Sequence, residues 1–112
     1  MTDATYNGRT NYETWAVGMF LDGNYTGEGT YQYTIETVTD ALQTDHPTSE
    51  YWTADESRRY HVADALKDMV GEATEPEEPS LASDLIGVAR QRVNWYELAD
   101  AWIENVREQV TS

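Results

Sequence analysis

The segment NWYELADAWIENVREQV, Asn94 to Val110, decides the fold class. Its apolar residues Trp95, Leu98, Ala99, Trp102, Ile103, Val106 and Val110 recur every three or four positions. On a helix that spacing makes one continuous stripe, whereas a strand would scatter the same residues over both faces. Asn94 stands where an N-cap is needed and Glu97 follows three residues later, a box-like start in which side chains satisfy the orphan N–H groups of the first turn. A helix with one such face has to bury it against other helices or a sheet.

Outward from this segment, further helix signals dominate. Thr53-Ala54-Asp55-Glu56 is a capping box that opens a helix through Tyr60, Ala63, Leu66 and Met69 or Val70 to a stop at Gly71. Thr10-Asn11-Tyr12-Glu13 reads as another box, starting a helix near Asn11 with Tyr12, Trp15, Ala16, Met19 and Phe20 on its buried face and Gly23 as its stop. Pro79-Ser80 leads into a short helix carrying Leu81, Leu85, Val88 and Ala89, which breaks near Val93. Between Thr30 and Thr44 the spacing of Tyr31, Ile35, Val38 and Leu42 predicts a helix ended by Asp45-His46-Pro47. The threonines at 34, 37 and 39 are poor helix formers and keep a strand reading open there. The expectation is an all-α, compact single-domain bundle of four to five helices over residues 1–112. A flexible arm at 1–9 and an acidic Pro/Glu linker at 72–79 belong to that one domain. Its core draws on Trp15, Phe20, Ile35, Leu42, Leu66, Leu85, Leu98 and Trp102.

Composition bounds the function. The formal net charge is −14, from 21 carboxylates against 7 lysines and arginines, and Thr10 to Ser57 holds nine carboxylates with no basic residue. Such a surface repels nucleic acid and anionic membranes and attracts basic faces. The same acidity also serves solubility or a high-salt host. Aromatics at 12%, with four tryptophans and eight tyrosines, are too many for a disordered acidic tail. Cysteine is absent, so disulfides and thiolate metal sites are excluded. Met1 to Asn7 has no basic or apolar run and no apolar stretch reaches eighteen residues, which points to a soluble protein of the cell interior.

Two segments carry a resemblance. Thr10-Asn11-Tyr12-Glu13-Thr14-Trp15, continued by Val17 and Phe20-Leu21-Asp22, resembles the TNYETW-like opening of a family of small uncharacterised phage- and plasmid-encoded proteins. Val93-Asn94-Trp95-Tyr96-Glu97-Leu98-Ala99 is similar to their V-[ND]-W-x-E-[IL]-A element near the C-terminal end. The match departs from the family pattern at Gly18-Met19, where those relatives more often place larger apolar residues. The resemblance implies a mobile-element origin and supplies no site.

No catalytic pattern stands out. His46 and His61 are the only histidines, no H-E-x-x-H spacing occurs, and the glycines at 23, 27 and 29 lack the lysine of a phosphate loop. Carboxylate pairs one turn apart, Asp64 with Asp68 and Asp100 with Glu104, lack any mark of a sugar cleft. The expectation is a non-enzymatic protein with no cofactor and no bound metal. Glu97, Asp100, Glu104 and Glu108 recur along the last helix as a carboxylate ladder with rungs about 5–6 Å apart. Glu36 and Asp40 make a further pair one turn apart. These six residues are the candidate acidic face for a basic host protein, a nucleic-acid enzyme in the DNA-mimic case, with no direct nucleic-acid or membrane partner. The alternative is an interaction module anchored by exposed aromatics, with Tyr51 and Trp52 the candidate anchors.

Overall fold

The computed structural model describes residues 6–25, 27–43, 53–74 and 80–111. Five helices follow in order: α1 (Tyr12–Leu21), α2 (Glu28–Gln43), α3 (Ala54–Ala73), α4 (Leu81–Arg92) and α5 (Trp95–Thr111). The chain is all-α as expected, with no strand among the described residues. The open question over 30–44 resolves to helix as far as Gln43. Thr34 and Thr37 keep their place in α2 by turning their hydroxyls back onto the carbonyls of Thr30 and Tyr33, 2.8 Å away in each case.

The helix starts show which local signals decide the fold. Thr53 and Glu56 form the expected reciprocal box, Glu56 N–H donating to Thr53 Oγ1 and Thr53 N–H to Glu56 Oε1. Ser80 makes an equivalent box with Ser83 at the start of α4. The box expected at Thr10 and Glu13 does not form. Asn11 is the N-cap of α1, its Oδ1 accepting from Thr14 N–H at 2.9 Å, because the Thr10 and Glu13 side chains are drawn to the other end of the chain. Gly23 follows α1 with φ +84°, and a Cβ there would run into the Gly27 carbonyl, so this position is closed to other residues. Gly71, expected as a stop, lies inside α3, which runs on to Ala73 and ends at Thr74. The rest of the expected linker, 75–79, lies outside the described residues.

Tyr6 to Arg9, within the expected flexible arm, form a tight turn. Tyr6 and Arg9 exchange two backbone hydrogen bonds, and Asn7 and Gly8 take φ of 47° and 83°, the positive pair that an Asn-Gly turn favours. The Tyr6 ring packs on those of Tyr12 and Trp15, both 5.1 Å away between centroids.

The core lies between α3 and its neighbours α2 and α5, with α1 closing over α2, α4 and α5. Leu21, Val38, Val62, Leu66 and Leu98 are fully buried, and Ala99, Trp102, Ile103 and Val106 are buried along the stripe that fixed the fold class. Phe20, Ile35 and Leu42 pack against this cluster from its edge. Trp15 sits at the rim in the Tyr6–Tyr12 ring cluster. The inward face of α1 is Thr14, Gly18 and Leu21, rotated from the expected one because Thr14 is tied to the start of α5. Asp22, at the C-terminal end of α1, has its pKa raised from 3.8 by burial, against the opposing pull of Arg9. A carboxylate at a helix C-terminus is disfavoured as well. Because the folded chain holds this proton more tightly than the unfolded one, the stability it contributes is present below about pH 3.8 and is lost as pH rises through the raised pKa. Asp22→Asn is therefore expected to raise the melting temperature near neutral pH and to leave it unchanged well below the ordinary carboxylate range, which melting curves across pH would show.

Helix α4 departs most from expectation. Leu85, counted on for the core, is 60% exposed, Leu81 is 74% exposed and Val88 57%. No residue of α4 is buried. Its position is set by the C-terminal end, where the Arg92 carbonyl and side chain are held by α1, so packing no longer has to turn the apolar face inward. Leu85→Ala is expected to change unfolding free energy by less than about 0.5 kcal/mol in chemical denaturation, as a surface substitution does.

Candidate functional site

The two motifs singled out in the sequence, at 10–15 and 93–99, meet in space. Thr10 donates both its backbone N–H and its hydroxyl to the Glu97 carboxylate, each at 3.1 Å. Asn94 Nδ2 donates to the same hydroxyl oxygen at 3.0 Å. Thr14, fully buried, donates its hydroxyl to Asn11 Oδ1 at 2.7 Å and accepts from Asn94 N–H at 2.9 Å. Asn11 Nδ2 reaches the Arg92 carbonyl at 2.7 Å, and the Arg92 guanidinium meets Glu13 at 3.0 Å. Asn94 still caps α5 by accepting from Glu97 N–H. The Glu97 side chain, expected to close that box, is spent on Thr10 instead. Each cap of the pair is thus completed by the other, and the motifs form a clasp that fixes α1 on α5. Gly18 adds to it, since a Cβ there would touch Leu98 Cδ2 at 3.5 Å.

The clasp removes Glu97 from the proposed ladder, because its carboxylate is half-buried and occupied. The next rung, Asp100, is paired with Arg59 at 3.0 Å. Asp100 and Glu104 line a surface cavity between α3 and α5 together with Asp55, Glu56, Arg58, Arg59 and Arg107. Three guanidiniums among four carboxylates leave that cleft close to neutral. Arg58 is paired with Asp55, and Arg59 lies over the Tyr96 ring. Glu108 is exposed one turn beyond Glu104.

Glu36 and Asp40 do not extend this row. They face α3 across a different groove of about 420 Å³, lined also by Asp64 and Asp68, with Tyr33 and His61 beside them. Here four carboxylates, in two pairs each one helical turn apart, share one concavity with no lysine or arginine in its lining. Tyr33 is 52% exposed on its rim, and His61 is half-buried with its ring edge-on to Tyr60. Among the described residues no three histidines, aspartates or glutamates converge closely enough to hold a metal ion. The carboxylates are strung along the groove and suit an extended cationic surface better than a point charge. Asp64 and Asp68 are visible in the sequence as a pair, but only the packing of α3 on α2 joins them to Glu36 and Asp40.

The aromatic candidates Tyr51 and Trp52 lie outside the described residues. No described helix is long and apolar enough to cross a membrane. No known protein family, curated protein or solved structure matches the chain.

Proposed function

We propose that this chain is a non-enzymatic, phage- or mobile-element-encoded protein of the host cytoplasm whose α2–α3 groove binds a basic host protein. Its target is a nucleic-acid enzyme, and it inhibits that enzyme's defence or restriction activity by occupying the surface that takes DNA. The observation that carries this reading is the lining of the groove: Glu36, Asp40, Asp64 and Asp68 share it with no lysine or arginine among the lining residues. Like charges one turn apart on a helix repel, so two such pairs facing one another oppose folding and are relieved by a cationic partner. A row of carboxylates on a rigid helix pair presents the regular negative charge that a DNA-binding groove is built to accept. The net charge of −14 steers such a partner in from a distance.

The test is affinity capture from host lysate, eluted with a salt gradient and repeated with duplex DNA as competitor. A retained nucleic-acid enzyme that salt elutes and DNA displaces is the expected result. A complex indifferent to both contradicts the reading.

A second reading, an interaction module whose acidity serves solubility or a high-salt host, is favoured by the bare stripe of Leu81, Leu85 and Val88. The partner it fits is a second copy of the chain. Helix α4 carries Asp84 against Arg90, and its Arg92 is paired with Glu13, so two strongly acidic molecules meet there with little local repulsion. Sedimentation that shows a dimer, abolished by Leu85→Glu, supports it; a monomer at every concentration removes it.

A further inference from the structure

In a chain with three carboxylates for every basic residue, nearly all the cations are engaged. Arg58, Arg59 and Arg92 hold carboxylates, Arg9 lies beside Asp22, and Arg107 is also engaged. Lys67 and Arg90 are the exceptions: among the described residues neither side chain has an ion pair or a hydrogen bond. Both line one surface cavity of about 480 Å³ where α3, α4 and α5 meet, together with Gln91 and the half-buried indole of Trp95.

The backbone is shaped around them. Arg90 reaches across to α3 at Gly71, where a Cβ would stand 3.3 Å from its Nη1, so the absence of a side chain lets the guanidinium lie against the helix one turn beyond Lys67. Gly87, one turn before Arg90 and Gln91, leaves the α4 wall of the cavity open. Trp95 and Lys67 also border a second cavity of about 320 Å³. The indole therefore stands between two hollows with a cation on its flank. The larger of them falls within the roughly 300–1000 Å³ of small-molecule sites.

We propose that this cleft binds a planar aromatic molecule bearing one anionic group, of the size and chemistry of a nucleoside monophosphate. The anionic group is held between Lys67 and the Arg90 guanidinium, which offers paired donors to a phosphate or carboxylate. The ring stacks on Trp95, and Gln91 supplies both a donor and an acceptor for its edge. Asp64, in the lining of the second cavity, keeps further negative charge out of that lobe. The acidity of the molecule does not forbid such a ligand. A field screened over about 8 Å at physiological ionic strength weighs lightly on one small anion and heavily on a polyanion. The main cavity shares no lining residue with the groove proposed for protein binding, only the smaller one borders it through Asp64, and the proposal does not depend on that reading.

The probe is adenosine 5′-monophosphate, titrated into the full chain while the indole N–H resonance of Trp95 is followed by NMR. A saturable shift is expected. Lys67→Gln and Arg90→Gln should each weaken it about tenfold, the loss of one charge-assisted hydrogen bond, without altering the melting curve. Arg107→Gln, in the α3–α5 cleft, should leave it unchanged. Adenosine alone and inorganic phosphate alone should each bind at least tenfold more weakly than the nucleotide. The proposal is overturned if the Trp95 resonance does not saturate, if neither substitution weakens the shift, or if phosphate alone binds as well as the nucleotide.

Discussion

Replacing Trp102 with alanine is expected to remove about 3–5 kcal/mol of unfolding free energy, the cost of truncating a buried tryptophan. A domain of this size is stable by roughly 5–15 kcal/mol, so the variant should melt far below the parent or lose its cooperative transition. The size follows from position. Trp102 is 4% exposed in the middle of the α5 stripe, and its ring meets Tyr31 of α2 at 5.7 Å between centroids. One substitution therefore opens a cavity between α5 and α2, and neither helix can collapse into it without leaving α3. Trp102→Phe keeps a ring in the site and should recover more than half of the loss. Chemical denaturation followed by circular dichroism measures both.

The second large effect belongs to the clasp. Asn11→Ala is expected to cost about 2–3 kcal/mol, of which roughly 1–2 is the N-cap of α1 and about 1 the lost bond to the Arg92 carbonyl. It also leaves the buried Thr14 hydroxyl without its acceptor. Asn11→Asp separates the two contributions. An aspartate keeps the acceptor for Thr14 and suits the helix N-terminus, but it cannot donate to the Arg92 carbonyl. It should therefore cost about 1 kcal/mol. If Asn11→Asp proves as damaging as Asn11→Ala, the bond to Arg92 carries the position and the cap matters little.

How far the sequence reached depended on range. The stripe from Trp95 to Val106 and the box of Thr53 with Glu56 were legible because they are local, their periodicity and spacing containing the whole of the physics. The start of α1 was misread at the same level of detail. Thr10 and Glu13 satisfy a local capping rule, yet Glu97 and Arg92, more than seventy residues away, compete for them and win. Leu85 was misplaced for a related reason. Its spacing is that of a core residue, but the orientation of α4 is decided at Arg92, and no periodicity records that. The Asn-Gly turn at residues 7 and 8 carried a usable signal within the stretch read as an arm.

The acidic face shows the same division. Each carboxylate pair was visible one turn apart, but the sequence does not say which pairs share a surface. The ladder on α5 looked continuous in one dimension and is divided in three, its first rung spent in the clasp and the next paired with Arg59. The four carboxylates that share one groove lie on α2 and α3 instead. Sequence reasoning supplied two of its four residues as candidates, and the missing step was the helix pairing.

In the proposed function Glu36, Asp40, Asp64 and Asp68 bind the basic partner together. The most direct measurement compares the affinity for the captured partner of the parent chain, of the variant E36Q/D40N/D64N/D68N, and of a control, E104Q/E108Q, on α5. Removing like-charge pairs relieves repulsion, so the groove variant should melt no lower than the parent, which keeps folding out of the comparison. At least a tenfold loss of affinity is expected for the groove variant and little change for the control. Equal binding by the groove variant and the parent, or a loss confined to the α5 control, would contradict it.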